Sequence, residues 1–183
     1  PRLLSRFNES PILALLAPAG SGKTTLASQW AESFAGAVCW MSLSTEDNQA
    51  RTFWSFALSL FRLIAPQMSE RPALLLAQQA DQFVEVLTHE LAHQRQPLAL
   101  VLDDVHWINE RVLVQSLKRF VDHLPPQMRL IFVGRSLHAA LAERTHLLTD
   151  LAFTHDETAH YFASQSDRPL EGAELAQIFS VTK

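Results

Sequence analysis

The chain has 183 residues, of which 48% are hydrophobic and 19% charged, and its formal net charge at pH 7 is −4. This composition predicts one folded domain, excludes a disordered chain and gives no overall basic field that would attract nucleic acid. The single cysteine, Cys39, excludes an internal disulfide framework and favours a reducing, cytoplasmic location.

Strand and helix patterns alternate along the chain. The longest apolar stretch ends at Ala19 and is far shorter than the ~18 residues of a membrane-spanning helix. Hydrophobic periodicity and turn residues predict the elements in chain order. The predicted strands are Ile12–Leu16, Ala37–Leu43, Leu98–Leu102, Leu130–Val133 and a candidate last strand around Leu147–Phe153. The predicted helices between them are Gly22–Phe34, a helix capped by Asp47 or Asn48 and running to about Ile64, one or two helices between Pro72 and Arg95, Asn109–His123 and a short helix near His138–Arg144.

The alternation of strands and helices predicts an α/β fold. Strands joined by right-handed helical crossovers form a mostly parallel sheet with helices on both faces. Sheets of this kind bind ligands at the carboxyl ends of their strands. The residues that follow each strand are therefore the first place to look for chemistry.

The C-terminal part of the chain has helical signals of its own. Thr154 and Glu157 form a T-x-x-E capping box that predicts a helix to about Gln165, and a second helical segment is predicted at Leu170–Phe179. We expect residues 1–153 to form the core domain and residues 154–183 to begin a helical extension. Because the chain starts with Pro1 instead of Met, we also expect it to be part of a longer protein.

A glycine-rich loop follows the first strand. The sequence from Ala17 to Thr25, APAGSGKTT, fits G-x-x-x-x-G-K-[ST] except that alanine replaces the first glycine. The glycines let backbone N–H groups converge on phosphate oxygens, the lysine reaches the β and γ phosphates, and the threonine hydroxyl binds Mg²⁺. The alternative is a plain glycine turn. The predicted cofactor-binding residues are Pro18, Ala19, Gly20, Ser21, Gly22, Lys23, Thr24 and Thr25.

Two acids end the apolar strand at 98–102. Asp103 is predicted to hold Mg²⁺ together with Thr24, and Asp104 to orient or deprotonate the attacking water, which is the Walker B pattern. The alternative is that either acid only caps the following turn. Because glutamate is the more usual water activator, slow hydrolysis or none is expected.

The strand at 130–133 leads into Gly134 and Arg135. An arginine at this position can face the γ-phosphate and sense its loss, so Arg135 joins Lys23 and Asp104 as a predicted catalytic residue. The alternative is a solvated arginine at a strand end.

A competing signal lies in the helix before the Walker B strand. His89, Glu90 and His93 fit H-E-x-x-H, in which two histidines bind zinc and the glutamate acts as a general base. A third histidine six residues further on is missing, since Ala99 occupies that position, and Glu110 is only a distant candidate ligand. A polar helix face is the simpler interpretation.

Five blocks in order resemble a known family. "APAGSGKTTLASQW", "WMSLSTEDNQARTFW", "LALVLDDVHWI", "LPPQMRLIFVGRS" and "DLAFTHDETAHYF" are similar to the nucleotide-binding domain of MalT-type, large LuxR-family transcriptional regulators, which belong to the STAND class of signalling P-loop ATPases. The resemblance implies a three-layer P-loop NTPase with a five-stranded parallel sheet, in which the sensor strand lies between the phosphate-loop strand and the Walker B strand. Ala17 and the paired aspartates are usual in this family, whereas Ser44 stands where the family has Asp.

The resemblance also implies a switch. ADP holds the resting state, an inducer permits exchange for ATP, the ATP form self-associates and activates transcription, and slow Mg²⁺-dependent hydrolysis resets it. Inducer and DNA would bind domains beyond Lys183, and no membrane partner is expected. A P-loop enzyme such as a small-molecule kinase, a scaffold with an inactive phosphate loop and an HExxH zinc hydrolase remain the alternatives.

Overall fold

The structure is a computed structural model that describes residues 2–78, 80–152, 154 and 157. Within these residues five strands form one sheet, in which every neighbouring pair is parallel. The strands are β1 (Ile12–Leu16), β2 (Ala37–Ser42), β3 (Leu98–Asp103), β4 (Met128–Gly134) and β5 (His146–Leu148). Their spatial order is β2-β3-β4-β1-β5, which confirms the predicted α/β fold and the position of β4 between β1 and β3.

Helices cover both faces of the sheet and form two separate cores. They are α1 (Arg2–Ser5), α2 (Lys23–Ser33), α3 (Ala50–Ile64), α4 (Arg71–Gln78), α5 (Ala80–Ala92), α6 (Arg111–Asp122) and α7 (Ala139–Ala142), and short 3₁₀ turns lie at Arg6–Asn8, Thr45–Asp47 and Val105–Trp107. The larger core lies under α3, α5 and α6, and the smaller one under α1 and α2. None of the helices in the described part of the chain combines the length and the hydropathy needed to cross a bilayer.

The cores explain why the strands were recognisable in the sequence. All six residues of β3 are buried, because a central parallel strand is covered on both faces and therefore reads as a continuous apolar run. In the larger core, Trp54 of α3 lies edge-on to three phenylalanine rings at centroid distances of 5.0–5.4 Å; these rings belong to Phe53, Phe83 and Phe120.

Some helix ends differ from the prediction. α2 begins at Lys23 and not at Gly22, because Gly22 has a left-handed φ of 77° that cannot continue into the helix. α3 begins after Gln49, whose side chain makes no capping hydrogen bond, so the prediction of Asp47 or Asn48 as its cap was wrong. Asp47 instead accepts from the backbone N–H of Ser44.

The described C-terminal residues include the last strand and the capping box. The last strand is β5, shorter and earlier than the predicted 147–153. The capping box is confirmed, since Thr154 N–H donates to Glu157 Oε2 at 2.8 Å and Glu157 N–H donates to Thr154 Oγ1 at 3.2 Å. The helix to Gln165, the segment Leu170–Phe179 and the start of a helical extension lie outside the described residues.

Candidate functional site

The predicted site residues converge at the carboxyl edge of the sheet. The glycine-rich loop leaves β1, the acidic pair ends β3 and Arg135 follows β4, and these three strands are neighbours in the order β3-β4-β1. Parallel strands bring their carboxyl ends to one edge, where α/β folds bind ligands. The sheet order therefore assembles three sequence motifs that are separated by up to 118 positions between Ala17 and Arg135.

The loop has the backbone of a phosphate cradle. Gly20 and Gly22 have φ of 79° and 77°, in the left-handed region that side chains disfavour, and a Cβ at either position would meet no atom within 4 Å. The requirement for glycine is therefore conformational and not steric. Left-handed glycines of this kind let successive N–H groups converge on an anion, and the loop leads directly into α2, whose N-terminal dipole favours one.

Lys23 is buried at the base of this loop. Its side chain is 9% exposed in the folded chain, and its ammonium donates to the Pro18 carbonyl at 2.7 Å and to Ser21 Oγ at 3.3 Å. A lysine ammonium has three donors, so one remains beyond these two contacts. The loop itself thus holds the positive charge, while Pro18, Ala19 and Gly20 are exposed.

Thr24 and Asp103 join the loop to the Walker B strand. Thr24 Oγ1 donates to Asp103 Oδ2 at 3.0 Å, and Asp103 Oδ1 accepts from the backbone N–H of Asp104 at 2.9 Å. Asp103 is only 7% exposed. A hydroxyl beside a carboxylate is a hard-oxygen donor set of the kind that Mg²⁺ prefers next to phosphates. Since residues 2–78 and 80–152 hold no cluster of three or more potential metal ligands of the His, Cys, Asp and Glu types, a cation here would need oxygens from phosphate and water as well.

Asp104, His106 and Arg135 form a chain of polar contacts next to this pair. Arg135 Nη2 lies 2.6 Å from His106 Nε2, and His106 Nδ1 lies 3.7 Å from Asp104 Oδ1. Because arginine can only donate, Nε2 is the acceptor and the ring proton of neutral His106 sits on Nδ1. Within the described part of the chain this Nδ1 is buried and has no hydrogen-bond partner, and the carboxylate it faces is that of Asp104.

Close packing fixes this chain of contacts. Gly134 approaches the turn after β3 so tightly that an added Cβ would lie 2.9 Å from Val105 Cγ1 and 3.4 Å from the backbone nitrogen of His106. The His106 and Trp107 rings are 5.0 Å apart, and Trp107 is 38% exposed. The sequence motifs do not predict His106 as a link between Asp104 and Arg135. Its place two residues after the second aspartate was the available signal.

Within the described residues, no third histidine, cysteine or carboxylate joins the HExxH residues in a metal-ligand cluster. Glu90 accepts hydrogen bonds from Ser69 Oγ at 2.6 Å and from the Ser69 backbone N–H at 3.2 Å, which lowers the pKa of its carboxyl and makes it a weaker base. Glu110, the distant candidate ligand, instead caps α6 by accepting from the N–H groups of Val112 and Leu113. The two carboxylates of the zinc alternative are therefore engaged in other hydrogen bonds, Glu90 with Ser69 and Glu110 with the first turn of α6.

Comparison with known proteins agrees with this geometry. A sequence profile of the AAA ATPase domain matches residues 2–133, which is more than half of the chain. The chain belongs to the AAA ATPase domain family. Its matched part includes the glycine-rich loop, the acidic pair and all of β4 except Gly134.

Solved structures show the same fold at low sequence identity. A Signal Transduction ATPase with Numerous Domains (STAND) protein with a tetratricopeptide repeat sensor, from Pyrococcus horikoshii, matches 99% of this chain with a TM-score of 0.72 at 17% identity, over 27% of that protein. The Orc1 protein of Aeropyrum pernix, solved in complex with DNA, matches 90% of this chain with a TM-score of 0.51 at 16% identity, over 48% of that protein. The chain thus spans about a quarter and about half of these two proteins.

Proposed function

We propose that this chain is the ATP/ADP-binding switch module of a MalT-like signal-transduction ATPase that regulates transcription. The observation that carries the proposal is the hydrogen bond from Thr24 to Asp103, which unites the phosphate loop and the acidic strand in one site. The five sequence blocks that resemble the MalT-type family support the finer assignment. The fold shared with a STAND protein is compatible with it.

In this proposal each loop residue has a binding role. The backbone from Pro18 to Thr25 and the Lys23 ammonium bind the phosphates, with the lysine exchanging its contact to the Pro18 carbonyl for a phosphate oxygen. Thr24 and Asp103 hold Mg²⁺, which when bound neutralises charge on the phosphates. Because Lys23 is already held close to the loop, binding requires only a local exchange of hydrogen bonds.

Hydrolysis is assigned to the polar chain after β3. Asp104 orients the attacking water and accepts its proton, while Arg135 contacts the γ-phosphate and reports its loss. His106 keeps Arg135 in place through Nε2. An aspartate is shorter than the more usual glutamate, so we expect turnover to be slow, which suits a switch that hydrolysis resets.

The remaining functions belong to other parts of a longer protein. The proposal assigns inducer and DNA binding to domains outside residues 1–183, self-association to the ATP state, and the cytoplasm as the location. The net charge of −4 agrees with DNA binding elsewhere. The match to only 27% of the STAND protein agrees with a multidomain context.

The proposal is tested by titrating a fluorescent ATP analogue, in the presence of Mg²⁺, into the wild-type chain and into its Lys23→Ala variant. Lys118→Ala is the matched control, because Lys118 carries the same charge but pairs with Glu143 on the surface. We expect saturable binding of the analogue, and we expect ATP and ADP, but not GTP, to displace it. This binding should be lost in Lys23→Ala and retained in Lys118→Ala. Equal binding by all three proteins, or competition by GTP, would contradict the assignment.

A further inference from the structure

The two histidines of the HExxH motif lie together at the end of α5. His89 is in the last turn of α5 and His93 follows the end of that helix; both side chains are exposed. Their ring centroids are 4.4 Å apart with an interplanar angle of 48°. In a tetrahedral zinc site each nitrogen lies about 2.0–2.1 Å from the ion, so two such nitrogens are about 3.3 Å apart. Two imidazole rings as close as these can bring a nitrogen of each to that separation.

The ring of His93 is fixed in the tautomer that suits a metal ligand. His93 Nδ1 lies 2.7 Å from the carbonyl oxygen of His89, and because a carbonyl only accepts, Nδ1 carries the proton. Nε2 is then left with its lone pair facing outward from this contact. Metal-binding histidines commonly have this arrangement, with the other ring nitrogen donating to a backbone carbonyl. No hydrogen bond from the described residues engages the His89 ring.

A second histidine of the chain shows that helix capping does not account for the pair. His123 follows α6 and its Nδ1 lies 2.9 Å from the carbonyl of Arg119, four residues earlier, which is the contact that His93 makes with His89. One histidine is therefore enough for this cap. The residue four positions before the capping histidine is His89 in α5 and Arg119 in α6. The imidazole of His89 therefore has no role in the cap.

The glutamate of the motif is not a third ligand. Glu90 lies between the two histidines in sequence, and its carboxylate oxygens accept from the Ser69 hydroxyl at 2.6 Å and from the Ser69 backbone N–H at 3.2 Å. These hydrogen bonds occupy both oxygens of the carboxylate, so the imidazole nitrogens are the donors that the motif offers.

We propose that His89 and His93 chelate one first-row transition cation of the Zn²⁺ or Cu²⁺ type, through His93 Nε2 and one ring nitrogen of His89. Imidazole nitrogens prefer these ions over Mg²⁺, so the site is chemically distinct from the oxygen donors at Thr24 and Asp103. Water completes the coordination, because no third histidine, cysteine or carboxylate among the described residues joins the pair. A bound ion would bridge the last turn of α5 and stabilise it.

The test is a titration of the untagged chain with Zn²⁺, monitored by calorimetry and by the NMR shifts of the histidine rings. The variants are His89→Ala, which leaves the His93 cap intact, His93→Ala, and the matched control His123→Ala. We expect Zn²⁺ to shift the His89 and His93 ring signals together at one equivalent. We expect affinity to fall about tenfold or more in His89→Ala and His93→Ala and to be unchanged in His123→Ala.

Two results would overturn the site. One is the same Zn²⁺ affinity in the wild-type chain and in His89→Ala. The other is a shift of the His93 ring without the His89 ring, which would mean that a single imidazole binds the ion. Excess Mg²⁺ should not displace the shifts. The readout needs no nucleotide, so it is independent of the proposed ATP switch.

Discussion

Asp104 combines an uncommon backbone conformation with an exposed carboxylate. Its φ of 57° and ψ of 36° lie in the left-handed region, and it is the one non-glycine residue of the described chain with positive φ. Left-handed backbone costs roughly 1–2 kcal/mol for most residues, while Asp and Asn adopt it most readily because they can bond locally. Here the strained residue donates its backbone N–H to Asp103 Oδ1, and its own carboxylate is exposed whereas that of Asp103 is buried.

Asn can replace Asp104 without changing this backbone, so it isolates the carboxylate. We expect Asp104→Asn to lower ATP turnover by about 100-fold or more, since a general base contributes that much, and to leave nucleotide binding intact. The unfolding free energy should change by no more than about 0.5 kcal/mol. Phosphate release and urea denaturation check this. Undiminished turnover would remove Asp104 from the mechanism.

Arg135 determines which nitrogen of His106 carries the proton. In the wild-type chain we expect the Nδ1–H tautomer, because Arg135 donates to Nε2. Arg135→Ala should remove this bias and give a mixture of tautomers, which the ¹⁵N shifts of the His106 ring report. Arg144→Ala is the matched control, since Arg144 contacts Asp122 on the surface. A His106 ring that is unchanged in Arg135→Ala would show that the contact does not form in solution.

At the scale of elements, local sequence predicted the interiors better than the ends. Strands β1 and β3 were found because buried parallel strands are continuously apolar. The start of α3 was missed because Asn48 makes its hydrogen bonds 61 and 62 positions away, to the backbone N–H groups of Asn109 and Glu110. A capping residue with a tertiary partner looks the same in sequence as one that caps its own helix.

The N-terminal segment was also missed, because its stability comes from packing. α1 and its following turn have too few residues for a helical period, but Phe7 is fully buried and stacks on Trp30 of α2 with centroids 5.0 Å apart at 12°. The candidate site was more predictable, since its residues follow strands. Only the fold could show that His106 meets Arg135, 29 positions away.

The stacked pair predicts that this segment is part of the folded domain. Phe7→Ala should lower the unfolding free energy by about 3–5 kcal/mol, because it leaves a cavity in the core under α1 and α2. Leu63→Ala is the control: Leu63 is 78% exposed on α3, so its loss should cost no more than about 0.5 kcal/mol. Urea denaturation measures both. A small effect for Phe7→Ala would mean that residues 2–8 contribute little to the fold.

The reactivity of the single cysteine, Cys39, can report the unfolding of the whole molecule. Cys39 of β2 is buried, and burial raises the pKa of its thiol from 9.0 to about 12. At pH 8 its thiolate fraction is therefore about a thousandfold below that of the unfolded chain. Because the folded pKa is the higher one, the stability that Cys39 contributes is complete below pH 9 and declines as the pH rises toward 12.

Thiol labelling at pH 8 should thus occur only when the molecule unfolds. We expect labelling of Cys39 to be slow in the native chain and to accelerate with urea in step with global unfolding. Because the proposed site spans β1, β3 and β4, Mg²⁺ and ATP at 100 times Kd should slow labelling about 100-fold. β2 is an edge strand, so labelling that is fast and insensitive to urea would show that this strand opens alone. Labelling that depends on urea but not on nucleotide would show that the folded chain binds no ATP.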